Sequence, residues 1–236
     1  MVKSGYEVRS YDPAVARWAH AARQAALALD TSERRHGKTW FVGVDVLPNA
    51  PDGSIDAVAW PYAQMAPTWH KAQVSIIYPR YPRRDADESE AAHLFRLKRD
   101  AAHMDGLLPE GPKKRRHLRE PHGFIIGVSL NEALASPLVV WEGSHVIMQA
   151  AFEAAFAGIA PQDYGDMDVT DVYQAARRDV FARCARIEVP TVVGEAVFLH
   201  RHLIHGVAPW EGTGPDEGRM IAYFRPLIDP ADWLAL

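Results

Sequence analysis

The 236-residue chain is long enough for one large β-sandwich or barrel, and its 48% hydrophobic and 24% charged residues are ordinary for a globular protein. A formal net charge of −4 argues against extensive nucleic-acid binding, and the one cysteine, Cys184, excludes an intrachain disulfide and a thiolate metal cluster. No segment has the apolar length of a signal peptide or a membrane span, so we expect a soluble, cytoplasmic protein.

The first half of the chain predicts one helix followed by strands. Residues 12–30 begin with Asp12 as a plausible cap and continue with apolar side chains at helical spacing, which indicates a packing helix outside the main core. Residues 39–53 alternate like a strand before turn residues, and residues 72–82 predict another strand that stops at its prolines.

The second half alternates strand-like and helical segments. Two strand-like runs lie within 121–145, helical periodicity fills 146–184, and β character returns at 186–206 and 219–227. We therefore predict a single domain that is mainly β with helical decoration. It would comprise an N-terminal helix with flanking strands over 1–70 and a core over 71–236, with the helical insertion at about 146–184.

A histidine and an aspartate stand two residues apart in the stretch "AAHMDG". The surrounding run 93–108 fits a helix or a strand. We interpret its second half as a strand, on which side chains two residues apart share a face at about 7 Å. A mononuclear non-haem iron site needs two histidines and one carboxylate on one face of the metal, and leaves the other positions open. His103 and Asp105 would supply two of these three ligands.

Three histidines in the stretch 194–210 could supply the third ligand. His205 ends an apolar run just before Gly206, where a strand gives way to a turn and a ligand can face a cavity. His200 and His202 share a strand face with each other, and we interpret them as packing, surface or ligand-supporting residues. His205 is therefore the candidate.

The stretch "RMIAYFR" places Arg219, Tyr223 and Arg225 on one face of a strand. An arginine that faces a β-barrel interior is costly unless an anion meets it, and the guanidinium group suits a carboxylate. The order of these motifs indicates a metal site followed by a carboxylate clamp. Arg225 could be a second carboxylate contact, a substrate contact or the start of a surface turn, and Tyr223 could be a core residue or a ligand contact.

Four segments together resemble the iron(II)/2-oxoglutarate-dependent dioxygenases, and most of all their phytanoyl-CoA dioxygenase-type branch. The segments are "HMD" at 103–105, "PLVVWEGSH" at 137–145, "GEAVFLHRHLIHG" at 194–206 and "GRMIAYFR" at 218–225. The spacing from Gly194 to His205 is that of the family, whereas Glu142 stands where the family has a proline. The first third of the chain carries no such match.

The resemblance implies a double-stranded β-helix (a cupin-like jelly roll) with Fe(II) held by His103, Asp105 and His205. It implies that 2-oxoglutarate chelates the metal while Arg219 holds its far carboxylate, with Tyr223 and Arg225 as further candidate contacts. O2 would then oxidise the cosubstrate to succinate and CO2. The same reaction would oxidise a small-molecule substrate, usually to an alcohol.

Two segments leave alternatives open about partners. The basic run 113–119 is either a solvated loop or a clamp for an anionic substrate. The helical block 146–184 is either packing decoration or a lid or homodimer contact near the pocket mouth. The substrate itself is not identified.

Three other functions compete with the oxygenase. A cupin-like metal-binding or sensor protein would need no clamp such as Arg219, and a zinc hydrolase would share the two histidines and the carboxylate but needs a general base that we do not find. The spacing in "RMIAYFR" also resembles nucleic-acid demethylating dioxygenases, which the acidic charge balance disfavours.

Overall fold

The computed structural model of the chain describes residues 3–235, so the predicted domain limits at 1 and 236 lie outside the described residues. Eleven strands and four α-helices are described. The strands are β1 (Tyr6–Arg9), β2 (Trp40–Gly43), β3 (Gln73–Ile77), β4 (Leu107–Glu110), β5 (Arg115–Leu118), β6 (Phe124–Ser129), β7 (Leu138–Trp141), β8 (Arg186–Val189), β9 (Ala196–His200), β10 (His205–Val207) and β11 (Arg219–Phe224). The helices are α1 (Pro13–Leu27), α2 (Glu90–Lys98), α3 (Ser144–Ala155) and α4 (Thr170–Arg183).

The strands form three sheets in which every paired neighbour is antiparallel. A six-stranded sheet has the order β1-β9-β6-β11-β3-β2, a three-stranded sheet has the order β10-β7-β8, and β4 and β5 form a hairpin. The expectation of a mainly β protein with helices is confirmed. None of the described helices combines the length and the apolar character that a membrane crossing requires.

Alternation along β11 shows how the layers stack. Ile221 and Tyr223 pack in one apolar cluster with Val140 of β7, so the two larger sheets face each other across that cluster. Met220 and Phe224 point the other way and pack in a second cluster, which contains Trp18 of α1 and Trp60. The central strand β11 is therefore buried on both faces.

Helices cover the outer faces of both sheets. α1 packs on the six-stranded sheet, while α3 and α4 pack on the three-stranded sheet through a third apolar cluster that includes Trp141. The predicted N-terminal helix is confirmed: Asp12 caps it by accepting the amide of Ala14 at 2.7 Å, and Pro13 occupies its first turn. The helical block 146–184 is also confirmed as helical, by α3 and α4.

Two strand predictions differ from the structure. In the segment 39–53 only β2 is a strand. The interpretation of the "AAHMDG" segment as a strand is wrong, because Asp100 and Ala101 both have φ of 53° and Gly106 has φ of 86°. Such left-handed residues turn the chain and cannot continue a strand. His103 makes only an isolated bridge.

Candidate metal centre

His103 and His205 are joined through their backbones, although they lie far apart in the sequence. The His103 amide donates to the His205 carbonyl at 2.8 Å, and the His205 amide donates to the His103 carbonyl at 2.9 Å. His205 begins β10, whereas the sequence suggested the end of a strand. A Cβ on the next residue, Gly206, would lie 2.1 Å from the Asp100 carbonyl oxygen, so only glycine permits this close approach.

The turn after His103 brings Asp105 to both histidines. One side-chain ligand atom from each of the three residues lies within 4.8 Å of the other two. His103 Nε2 is 3.1 Å from Asp105 Oδ1, and His205 Nε2 is 3.8 Å from Asp105 Oδ2. The structure thus brings together the three predicted ligands, through a turn and a backbone bridge.

Both imidazole rings are oriented by the main chain. His103 Nδ1 lies 3.0 Å from the Ala101 carbonyl oxygen, and His205 Nδ1 lies 3.0 Å from the Leu203 carbonyl oxygen. A carbonyl oxygen only accepts, so each Nδ1 carries a proton and each Nε2 is left to act as a ligand. Two oriented imidazoles and a carboxylate fit a divalent transition metal.

The electrostatics favour the protonation states that metal binding requires. Burial opposes ionisation of Asp105, but Arg225 and the two histidines more than offset it and hold the pKa of Asp105 well below its usual value. Burial lowers the pKa of His205 to about 4, although Asp105 works in the opposite direction. At neutral pH the carboxylate is therefore ionised and His205 is neutral, as a metal site requires.

Arg225 lies directly against the candidate ligands rather than in a surface turn. Its Nε donates to Asp105 Oδ2 at 2.5 Å, and one terminal nitrogen donates to Gln73 Oε1 at 2.8 Å. Its backbone amide donates to His70 Nε2 at 2.8 Å. Arg225 therefore engages one oxygen of Asp105 and leaves the other beside His103.

Arg219 is a buried cation in the core between the two sheets. It is only 3% exposed, and within residues 3–235 no carboxylate lies within 4.0 Å of its guanidinium group. Burial lowers the pKa of Arg219, and its electrostatic interaction with the nearby Tyr223 side chain opposes that effect. The Tyr223 ring also lies 5.6 Å from the Arg225 guanidinium carbon. A continuous series of contacts therefore runs from Asp105 through Arg225 and Tyr223 to Arg219.

A cavity of about 450 Å³ opens beside the candidate ligands. His103 and Asp105 line it, together with apolar side chains of the β4 segment and Trp40. Four arginines also line it: Arg35, Arg96, Arg116 and Arg225. The hairpin of β4 and β5 contains much of the basic run 113–119, so this run is partly a strand rather than wholly a loop.

The other two histidines near His205 lie away from this centre. His202 is fully buried beside Trp233, at 4.4 Å between ring centroids, and neither of its ring nitrogens has a hydrogen-bond partner among residues 3–235. His200 lies 4.9 Å from the His145 ring. Burial lowers the pKa of His200 to about 4 and lowers that of His202 well below its usual value. Their environment fits the packing interpretation.

A second group of metal-capable residues, which sequence reasoning missed, lies near the same cavity. His36, Asp85 and Glu88 offer ligand atoms within 4.8 Å of one another. Both carboxylates already have partners: Asp85 accepts the amides of His36 and Gly37, and Glu88 pairs with Arg96 at 2.5 Å. No local motif marks these residues, because they meet only through the tertiary fold. Their contacts fix the chain beside the cavity.

No family model matches the sequence, and no curated protein matches it. Among solved structures the chain is similar to SnoN, a non-haem α-ketoglutarate-dependent epimerase from nogalamycin biosynthesis, with 14% identity and a TM-score of 0.53 over 94% of this chain and 77% of SnoN. It is also similar to SnoK, a non-haem α-ketoglutarate-dependent carbocyclase from the same biosynthesis, with 15% identity and a TM-score of 0.51 over 94% of this chain and 79% of SnoK. SnoN in complex with Fe³⁺, α-ketoglutarate and nogalamycin RO gives 17% identity and a TM-score of 0.53, over 94% of this chain and 78% of that one. The chain therefore shares the fold of these two non-haem α-ketoglutarate-dependent enzymes.

Proposed function

We propose that the protein is an Fe(II)- and 2-oxoglutarate-dependent oxygenase that acts on a small molecule. The observation that carries this proposal is the convergence of His103, Asp105 and His205, on a fold shared with SnoN and SnoK. Two imidazoles and one carboxylate form the facial ligand set of non-haem Fe(II) oxygenases, which leaves the remaining positions open for the chelating cosubstrate and O2.

Arg219 supports 2-oxoglutarate (α-ketoglutarate) as the cosubstrate. A buried guanidinium with no carboxylate within reach, among residues 3–235, is costly, and a bound dicarboxylate would supply the missing anion. In this proposal Arg219 holds the distal carboxylate of 2-oxoglutarate and Tyr223 positions the Arg219 guanidinium. A metal binder without oxidative chemistry would not need this arginine.

Arg225 would position the metal-binding carboxylate. Because its guanidinium occupies Asp105 Oδ2, Asp105 Oδ1 is left for the metal on the side of His103. When bound, the iron supplies O2 activation: one oxygen atom enters succinate as CO2 is lost, and the other enters the substrate. The protein residues bind, orient and shield the reactants.

The finer features of this proposal are the double-stranded β-helix, the phytanoyl-CoA dioxygenase-type branch and hydroxylation as the outcome. The first two are supported by the order and spacing of the four sequence segments. Hydroxylation is the usual outcome in the family that the chain resembles, and Asp105 counts against halogenation because it fills the third protein position and leaves no vacancy for a halide. SnoN and SnoK are an epimerase and a carbocyclase, so product analysis must accompany any activity test.

The test is a succinate-release assay of the iron-loaded protein with 2-oxoglutarate, O2 and a panel of small acids, amino acids, lipids and CoA esters. In parallel, anaerobic titration of 2-oxoglutarate should produce a metal-to-ligand charge-transfer band. His103→Ala is the matched control and should lose both signals. If the wild-type protein binds iron but gives neither the band nor succinate, the oxygenase proposal is wrong.

A further inference from the structure

We propose that the cavity beside the candidate metal ligands takes a small molecule with an apolar body and an anionic head, and that Arg35 and Arg116 bind the head. The proposal deepens the proposed function, because it names the substrate class of the same site. The four arginines that line the cavity differ in whether a carboxylate neutralises them. Arg225 is paired with Asp105 and Arg96 with Glu88, at 2.5 Å in each pair.

Arg35 and Arg116 are the cavity arginines that remain. Within residues 3–235, no carboxylate lies within 4.0 Å of either guanidinium group. The two acidic residues that line the cavity are both engaged, Asp105 with Arg225 and Glu120 with His122 at 3.3 Å. The lining thus carries two more guanidinium groups than carboxylates. This excess positive charge favours the binding of an anion in the partly enclosed cavity.

Arg116 is held in place by the protein around it. One of its terminal nitrogens donates to the Leu107 carbonyl at 2.8 Å, and its guanidinium carbon lies 5.2 Å from the centre of the Tyr173 ring. Its backbone amide donates to Thr170 Oγ1 at 2.7 Å. The arginine is therefore ordered while four of its five guanidinium N–H donors have no hydrogen-bond acceptor among residues 3–235.

Neighbours of Arg116 in the basic run show why this arginine is different. Arg115 pairs with Asp168 and Asp171, and Arg119 pairs with Glu110. Neither Arg115 nor Arg119 lines the cavity. Of the basic run 113–119, for which the sequence suggested an anion clamp, only Arg116 lines the cavity.

Arg35 lies on a fixed turn at the cavity. Its amide donates to the Trp40 carbonyl at 2.7 Å, and its carbonyl accepts the Trp40 amide at 3.1 Å. Within the turn, Asp85 accepts the amides of His36 and Gly37 at 2.8 and 2.6 Å. The exposed Arg35 side chain is therefore presented from an ordered backbone, which lowers the entropy lost when it binds an anion.

The remaining residues that line the cavity favour a ligand whose main part is apolar. Trp40, Met104, Leu107 and Pro109 line the same cavity as the two arginines. A bare inorganic anion would leave this surface uncovered, whereas an aromatic or aliphatic acid would bury it. The cavity of about 450 Å³ has room for a ligand of that size.

The test uses two probes of nearly the same shape that differ in charge, naphthalene-2-sulfonate and naphthalene-2-sulfonamide. Calorimetric titration of the iron-loaded protein, kept anaerobic and saturated with 2-oxoglutarate, should show the sulfonate binding about fivefold or more tightly. A sulfonate is a poor metal ligand, so direct coordination should not produce this preference. A preference below about twofold would overturn the proposal.

Variants then assign the preference to the two arginines. Arg35→Gln and Arg116→Gln should each reduce sulfonate binding severalfold and leave sulfonamide binding nearly unchanged, whereas the matched control Arg115→Gln should change neither. Arg116→Lys, which keeps the charge, guards against a loss that is merely structural and should retain part of the preference. An unchanged preference in both glutamine variants would overturn the proposal.

Titrations with and without 2-oxoglutarate distinguish a failure of the anion-site proposal from a failure of the oxygenase proposal. If saturating 2-oxoglutarate abolishes sulfonate binding, the two arginines serve the cosubstrate and the proposal is overturned. If the protein shows no 2-oxoglutarate band but retains the arginine-dependent sulfonate preference, the oxygenase assignment fails and the anion site stands.

Discussion

Replacing Arg219 with methionine should make the protein more stable alone and unresponsive to 2-oxoglutarate. Methionine has a similar length but no charge, so it removes a buried cation that, among residues 3–235, has no carboxylate partner. Replacing buried ionic groups with apolar residues of similar volume is often neutral or stabilising by about 1–4 kcal/mol. Loss of the polar interaction with Tyr223 opposes this by about 1 kcal/mol.

The net change in the free energy of unfolding should therefore be a gain of up to about 3 kcal/mol, with a rise in Tm of about 2–4 °C for each kcal/mol. Saturating cosubstrate should narrow or reverse the difference between the two proteins. At 2-oxoglutarate concentrations 100-fold above Kd, the wild-type protein should gain about 2.7 kcal/mol, while the variant should gain almost nothing.

The assay is thermal unfolding of the iron-loaded proteins under anaerobic conditions, with and without 2-oxoglutarate. Arg17→Met is the control, because Arg17 is exposed on α1 and reports the effect of the same substitution at the surface. An Arg219→Met protein that is destabilised alone and still shows the full 2-oxoglutarate shift would refute the cosubstrate role of Arg219.

Three further predictions follow from the site and its surroundings. His103→Ala and His205→Ala should each abolish stoichiometric iron binding, measured by metal analysis after desalting, whereas His202→Ala should retain it. If a folded His202→Ala protein loses iron, His202 would be a ligand and the assignment of His205 would be wrong. Because burial lowers the pKa of His200 to about 4 and that of His202 well below its usual value, the unfolded chain takes up protons first as the pH falls below about 6.5. The free energy of unfolding should therefore decline from about pH 6.5 toward pH 4, and His202→Phe should make that decline shallower in denaturant titrations; an equal slope would contradict the explanation. Gly206→Ala should lower stability by about 1–3 kcal/mol and weaken iron binding, because its Cβ would lie 2.1 Å from a carbonyl oxygen; unchanged iron affinity would show that the backbone adjusts locally.

Local patterns in the sequence predicted those parts of the molecule that local physics determines. The N-terminal helix follows from a capping aspartate and helical apolar spacing, and β11 follows from a short, nearly continuous apolar run of strand length. The spacing of His103 and Asp105 indicated a shared ligand role, but the strand around them was wrong. The left-handed conformation of Ala101 has no signal in residue type, because glycine, asparagine and aspartate are the residues that usually adopt it, and Asp100 alone is a weak signal.

The cavity charges could not be predicted, because they depend on which arginines find partners. Arg115 and Arg116 are adjacent in the sequence, yet Arg115 meets Asp168 and Asp171 while Arg116 remains without an acid partner among residues 3–235. These acids lie about fifty residues further along the chain and come close only when α4 packs beside β5. Arg35 has no motif around it and reaches the cavity through a turn that Asp85 holds from a distant segment.

The backbone bridge between His103 and His205 has a consequence for how the protein opens. The two amides already close a loop of roughly a hundred residues, and an ion held by both side chains would close the same loop again. In the chain-entropy description of crosslinks, restraining a loop of that size removes about 4–5 kcal/mol of freedom from the unfolded chain. A bound metal would thus act as a reversible crosslink between the two segments. The hydrogen–deuterium exchange rates of the His103 and His205 amides would report how fully the metal site is occupied.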